Sequence, residues 1–72
     1  MKEETKNDKF KRLAENRVNN ALKYIDLLGN LANKSNYDYS ENEYKKIIRT
    51  LRKSVDKLEG KFEASNKQRF KL

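Results

Sequence analysis

The chain has 72 residues, with 18 Lys plus Arg against 11 Asp plus Glu, a formal net charge of +7, and 40% charged residues against 35% hydrophobic ones. It contains no Cys, His, Pro or Trp, which excludes a disulfide scaffold, a thiol nucleophile, imidazole acid–base chemistry and a Cys or His zinc site. A chain of this length admits one domain at most and a small core.

Met1 to Lys9 is a charged lead-in, and Thr5, Asn7 and Asp8 are the candidate caps of a first helix. The polar start and the lack of an apolar run near ~20 residues predict a cytoplasmic protein with no membrane partner. The first helix is predicted over about 8–33. Ala14, Val18, Ala21, Ile25, Leu28 and Ala32 recur at spacings of four and three, the seam of a helix packed lengthwise on another. Gly29 is its weak point, costing about 1 kcal/mol relative to Ala. Because Leu31 and Ala32 continue the pattern, the helix is carried through.

A polar loop is predicted over 34–40. The second helix is predicted over about 41–64, with a sharp start: Ser40-Glu41-Asn42-Glu43 fits a capping box. Tyr44, Ile48, Leu51, Val55, Leu58 and Phe62 repeat the same spacing. In one antiparallel register, Ala32 meets Tyr44, Leu28 meets Ile48, Ile25 meets Leu51, Ala21 meets Val55, Val18 meets Leu58 and Ala14 meets Phe62. The end layers then set Ala against a ring, large against small. The expected fold is all-α: one helical-hairpin domain over 1–72. Residues 65–72 form a basic tail carrying Phe70 and Leu72, either unstructured or extending the second helix.

Helix 1 is apolar over too wide an arc for one partner. Beyond its seam it carries Leu13, Tyr24, Leu27 and Leu31 on one flank and Leu22 on the other, and the whole spans roughly 200° at 100° per residue. A two-helix hairpin also supplies little core of its own. The expectation is a homodimer forming a four-helix bundle, with Leu13, Tyr24, Leu27 and Leu31 at the dimer interface. The alternative is that the same stripe covers itself on a different protein.

Helix 2 carries Lys46, Arg49, Lys53, Lys57 and Lys61 within ~120° on the side away from its seam, with Lys45 and Arg52 beside them. Such an array suits neutralisation of phosphates along a groove, and it equally suits a merely solvated face. The expected nucleic-acid contacts are Lys46, Arg49, Arg52, Lys53 and Lys57, with Arg12, Asn16, Asn19 and Lys23 of helix 1 adding polar contacts. Tyr37 and Tyr39 in the loop are expected to cover a bundle end, with base stacking as the alternative. Asn33, Ser35, Asn36 and Asp38 do not make a calcium loop, since the glycine and the final bidentate Glu are missing. The carboxylates Glu15, Asp26, Asp56 and Glu59 alternate with bases and form no catalytic constellation. No enzymatic activity, metal or cofactor is expected.

The small-against-large layers of the hairpin resemble those of the Rop-type plasmid copy-number regulators, over Asp8 to Ala64 in pattern. That resemblance implies a four-helix-bundle dimer that binds paired RNA loops on one face. No RNA-contacting position matches residue by residue, and this loop looks longer. The runs Arg17-Val18-Asn19-Asn20-Ala21-Leu22, Leu27-Leu28-Gly29-Asn30-Leu31 and Ser35-Asn36-Tyr37-Asp38-Tyr39 look like a group of small bacterial mobile-element proteins. This second resemblance implies a bacterial or phage source and brings no activity. The expected function is a small accessory or regulatory protein that binds nucleic acid, RNA ahead of DNA. The alternative is a protein-interaction module, an adaptor, inhibitor or phage-encoded modulator, using the apolar flank of helix 1.

Overall fold

Two long helices account for most of the chain. The computed structural model describes residues 3–66. Helix α1 spans Lys6–Gly29, a 3-10 turn follows over Asn30–Ala32, and helix α2 spans Glu41–Asn66. The protein is all-α, with no strand among the described residues. It falls into two units that divide between Asp38 and Tyr39, each built on one helix.

The first unit starts at a capping box. Thr5 is extended (φ −73°, ψ 165°), and its hydroxyl accepts from the Asp8 amide at 3.0 Å. The Asp8 carboxylate accepts in return from the Thr5 amide at 3.3 Å. Two of the amides that a helix start leaves unpaired are thereby satisfied. The α-helix stops at Gly29, short of the expected end near 33. The Asn30 amide is shared among the carbonyls of Asp26, Leu27 and Leu28, and the last turn tightens to 3-10 geometry. Asn33 then leaves the helix (φ −71°, ψ 101°). Its side-chain oxygen accepts from the Ser35 amide at 2.9 Å, and its carbonyl accepts from Asn36 and Tyr37 at 3.1 and 3.0 Å. The physical reason for the early stop is local. Gly29 weakens the helix, and the Asn33 side chain offers the backbone a turn instead of another helical bond.

The second unit starts with the expected device. The Ser40 hydroxyl accepts from the Glu43 amide at 3.2 Å, and the Glu43 carboxylate accepts from the Ser40 amide at 2.9 Å. Just before it, Tyr39 meets Tyr44 edge to face, with ring centroids 6.2 Å apart and planes at 86°. These are the residue before the cap and the fourth residue of the helix, so the pair is an aromatic version of the hydrophobic staple. At its far end α2 continues to Asn66, slightly past the expected end, and the Asn66 side-chain Nδ2 donates to the Phe62 carbonyl at 2.8 Å. Of the predicted tail, Ser65 and Asn66 belong to α2. The remainder, with Phe70 and Leu72, lies outside the described residues.

Each helix by itself is amphipathic, and no described residue is buried. Leu13, Ala14, Tyr39 and Leu51 are half-buried; the other apolar side chains of both stripes are exposed. Among the described residues, no helix is long and apolar enough to cross a membrane.

Candidate nucleic-acid interface

The basic side of α2 is set by helical spacing. Lys46, Arg49, Lys53, Lys57 and Lys61 fall at intervals of three and four, within about 120° of the helix circumference. All five are exposed, and none pairs with a carboxylate among the described residues. Tyr44, Ile48, Leu51, Val55, Leu58 and Phe62 occupy the opposite side of the same helix. Most of the acidic residues keep to a third strip: Glu41, Asp56, Glu59 and Glu63 lie with Lys45 and Arg52 on one side between the two. Arg52 therefore belongs to the mixed strip and not to the basic one. Lys45 is already engaged by Glu41 at 2.6 Å, one turn earlier. Glu43 falls at the border of the basic strip, but its carboxylate is turned back on the Ser40 amide. That bond holds its pKa below the ordinary 4.5.

Two hydroxyls beside the basic side chains bond back to the helix backbone. The Thr50 hydroxyl donates to the Lys46 carbonyl at 2.8 Å, and the Ser54 hydroxyl donates to the Thr50 carbonyl at 3.2 Å. Both hydroxyls are thus turned onto the helix backbone, Thr50 within the basic strip and Ser54 at its edge.

The residues of α1 are a separate group on a separate helix. Arg12, Asn16, Asn19 and Lys23 share its polar side, as their spacing requires. Arg12 is not free for a ligand. Its Nε donates to Glu4 Oε1 at 2.7 Å and its Nη2 to Glu4 Oε2 at 3.3 Å, a two-point grip. The bond to Arg12 holds the Glu4 pKa below its ordinary value, and Glu4 raises that of Arg12. Asn33, beyond this group, is the turn residue described above.

Of the residues assigned to a dimer interface, Leu13 is half-buried, whereas Tyr24, Leu27 and Leu31 are 67%, 49% and 43% exposed. Leu31 belongs to the 3-10 turn and the other three to α1. The loop tyrosines part company: Tyr39 stacks on Tyr44, and Tyr37 stays 48% exposed. The Tyr39 staple was missed in the sequence. Its signal was present, since Tyr39 and Tyr44 flank Ser40-Glu41-Asn42-Glu43 at the staple spacing. No group of three or more metal-ligating side chains occurs among the described residues.

No protein-family model, curated protein or solved structure matches this chain. None of these comparisons links it to the Rop-type regulators or to small mobile-element proteins. Its functional reading rests on its own residues.

Proposed function

We propose that the protein is a small accessory or regulatory factor that binds nucleic acid through the basic strip of α2, RNA ahead of DNA. In this reading the chain folds as an antiparallel hairpin and pairs with a second copy as a four-helix bundle, which presents the strip twice. One observation carries the reading. Lys46, Arg49, Lys53 and Lys57, with Lys61, pair with no carboxylate among the described residues and share one side of a helix whose acidic residues, Glu43 apart, lie elsewhere. A solvated surface chosen only for solubility has no need to sort its charges. Phosphate neutralisation does, because each carboxylate in the strip would cost affinity.

The test is fluorescence anisotropy against duplex DNA, single-stranded DNA and an RNA stem-loop, at low and at physiological salt. Retained binding to the RNA at physiological salt is the expected result. Reversing two charges (R49E/K53E) is expected to abolish it while circular dichroism stays unchanged. Equal binding to all three nucleic acids that vanishes with added salt would overturn the assignment.

The exposure of Leu27 and Leu31 favours a second reading. There the protein is an interaction module whose α1 flank, with Leu13, covers itself on another protein. A monomer in solution that binds no nucleic acid would leave this reading standing and remove the first.

A further inference from the structure

The cations of α2 are ordered along the helix as well as around it. Lys45, Arg49, Lys53, Lys57 and Lys61 stand four residues apart in one unbroken row, which holds five of the seven Lys and Arg residues of α2. Glu41 precedes the row and pairs with Lys45, the arrangement that stabilises a helix. Beyond that pair, Arg49, Lys53, Lys57 and Lys61 follow one another with no carboxylate in the row and no ion pair among the described residues. Like charges four residues apart repel and destabilise a helix. A row serving the helix alone would alternate in sign, as Glu41 and Lys45 do.

We infer that this row holds one unpaired strand of the nucleic acid in single file, with a phosphate at each of Arg49, Lys53, Lys57 and Lys61. The inference rests on the nucleic-acid reading above and adds the form of nucleic acid that the strip accepts.

Two properties of the row choose the occupant. The first is charge order. A ligand relieves the repulsion along the whole row only if it brings an anion to each member, and a polynucleotide backbone carries one per nucleotide. The rows on either side do not repeat the pattern. Lys46, Thr50, Ser54 and Leu58 include a single cation, and in Ile48, Arg52 and Asp56 the cation is followed by an acid. The ordered cations therefore meet one backbone and not two.

The second property is shape. Each step along the row rises about 6 Å and turns about 40° around α2, so the row is convex and runs about 18 Å from Arg49 to Lys61. A duplex is also convex and stiff, and each of its strands turns roughly 35° per base pair about the duplex axis. Two stiff convex surfaces part after a short contact. An unpaired strand has rotatable bonds at every nucleotide and bends to follow the row, as strands do along the positive tracks of single-strand binders.

The experiment keeps the net charge and breaks the order. The full-length K57E/E59K exchange leaves the charge at +7 but sets a carboxylate inside the row. Both positions are exposed. Fluorescence anisotropy is measured with a labelled oligouridylate, an RNA duplex of matched phosphate number and a polyglutamate of matched charge. The unaltered chain is expected to bind the oligouridylate about tenfold more tightly than either rival, with a slope of log affinity against log salt of about 3 per row, from four phosphates at ~0.7 each. The exchange is expected to weaken oligouridylate binding about tenfold and to raise the thermal midpoint, since the new carboxylate pairs with Lys53 and Lys61. Misfolding cannot produce that combination.

Unchanged oligouridylate binding by the exchanged chain would overturn the inference and leave only a general charge effect. A duplex bound as tightly as the oligouridylate would overturn the single-strand form while nucleic-acid binding stands. Equal affinity for polyglutamate would overturn the inference in favour of an acidic protein segment. An unaltered chain that binds neither nucleic acid would overturn the reading above, and this inference with it. If the exchanged chain loses helicity, Lys57→Gln is compared with Lys11→Gln, which removes the same charge from α1. Only the first is expected to lower the salt slope, and equal slopes in the two would overturn the row.

Discussion

At the scale of single residues, four side chains do most of the organising. Thr5 and Asp8 start α1, and Ser40 and Glu43 start α2. Replacing Thr5 or Ser40 by Ala is expected to cost about 1 kcal/mol each, read from urea unfolding followed by circular dichroism. Glu43 adds a pH dependence whose sign is fixed. Its folded pKa lies below 4.5 because the ionised carboxylate accepts the Ser40 amide. The stabilisation is therefore present above 4.5 and lost as pH falls through the lowered folded value. An acid titration of helicity is expected to show this loss, and Glu43→Gln is expected to remove its contribution. Helicity that titrates identically in that variant would show that the carboxylate bond does not matter.

At the scale of elements, the spacing of apolar residues gave both helices, and the Ser-x-x-Glu pattern gave the start of the second to the residue. The end of α1 was harder to read, for a physical reason. Hydrophobic periodicity continues through Leu31 and Ala32, past the residue at which α geometry ends. The competing signal was the pair Gly29 and Asn33, whose effect depends on a side-chain bond to Ser35 that periodicity does not register. The two glycines offer a direct check. Both have ordinary backbone torsions, and a Cβ built at either would meet nothing within 4 Å. Gly60→Ala is expected to stabilise the chain by about 1 kcal/mol, the full difference in helix propensity. Gly29→Ala is expected to gain about as much and to draw Asn30–Ala32 into α geometry. Urea unfolding measures the gain, and backbone chemical shifts over those three residues report the change of turn.

At the scale of the whole molecule, the apolar stripes decide the expected behaviour. Helices gain most of their stability from a covered face, and here no described residue is buried. An associating chain is stabilised by mass action, so its thermal midpoint is expected to rise with protein concentration, and a concentration-independent midpoint would argue against self-association. The basic strip predicts a second dependence. Neutralising Lys57 alone (Lys57→Ala) is expected to weaken binding similarly for every nucleic acid. It is also expected to reduce the slope of log affinity against log salt by about 1 for each copy engaged. The candidate site was largely legible in the sequence, since position around a helix follows from spacing. What spacing could not supply was the state of each charge. Arg12 proves to be held by Glu4, and Lys45 by Glu41, whereas the five cations of the strip are paired with nothing described.

Both capping boxes close between residues three apart, so neither needs the rest of the chain to form. This has a kinetic consequence. Each helix carries its own nucleus, and the unfavourable first turn that limits helix initiation is assisted at a fixed place. Local helix formation runs on the microsecond scale and is blind to protein concentration. Association, in contrast, must wait for a collision. After a rapid dilution from denaturant, helicity is expected to recover partly in an early phase of constant rate. A later phase is expected to quicken as the protein is made more concentrated. The order of assembly is thereby written into two short stretches of sequence, Thr5 to Asp8 and Ser40 to Glu43.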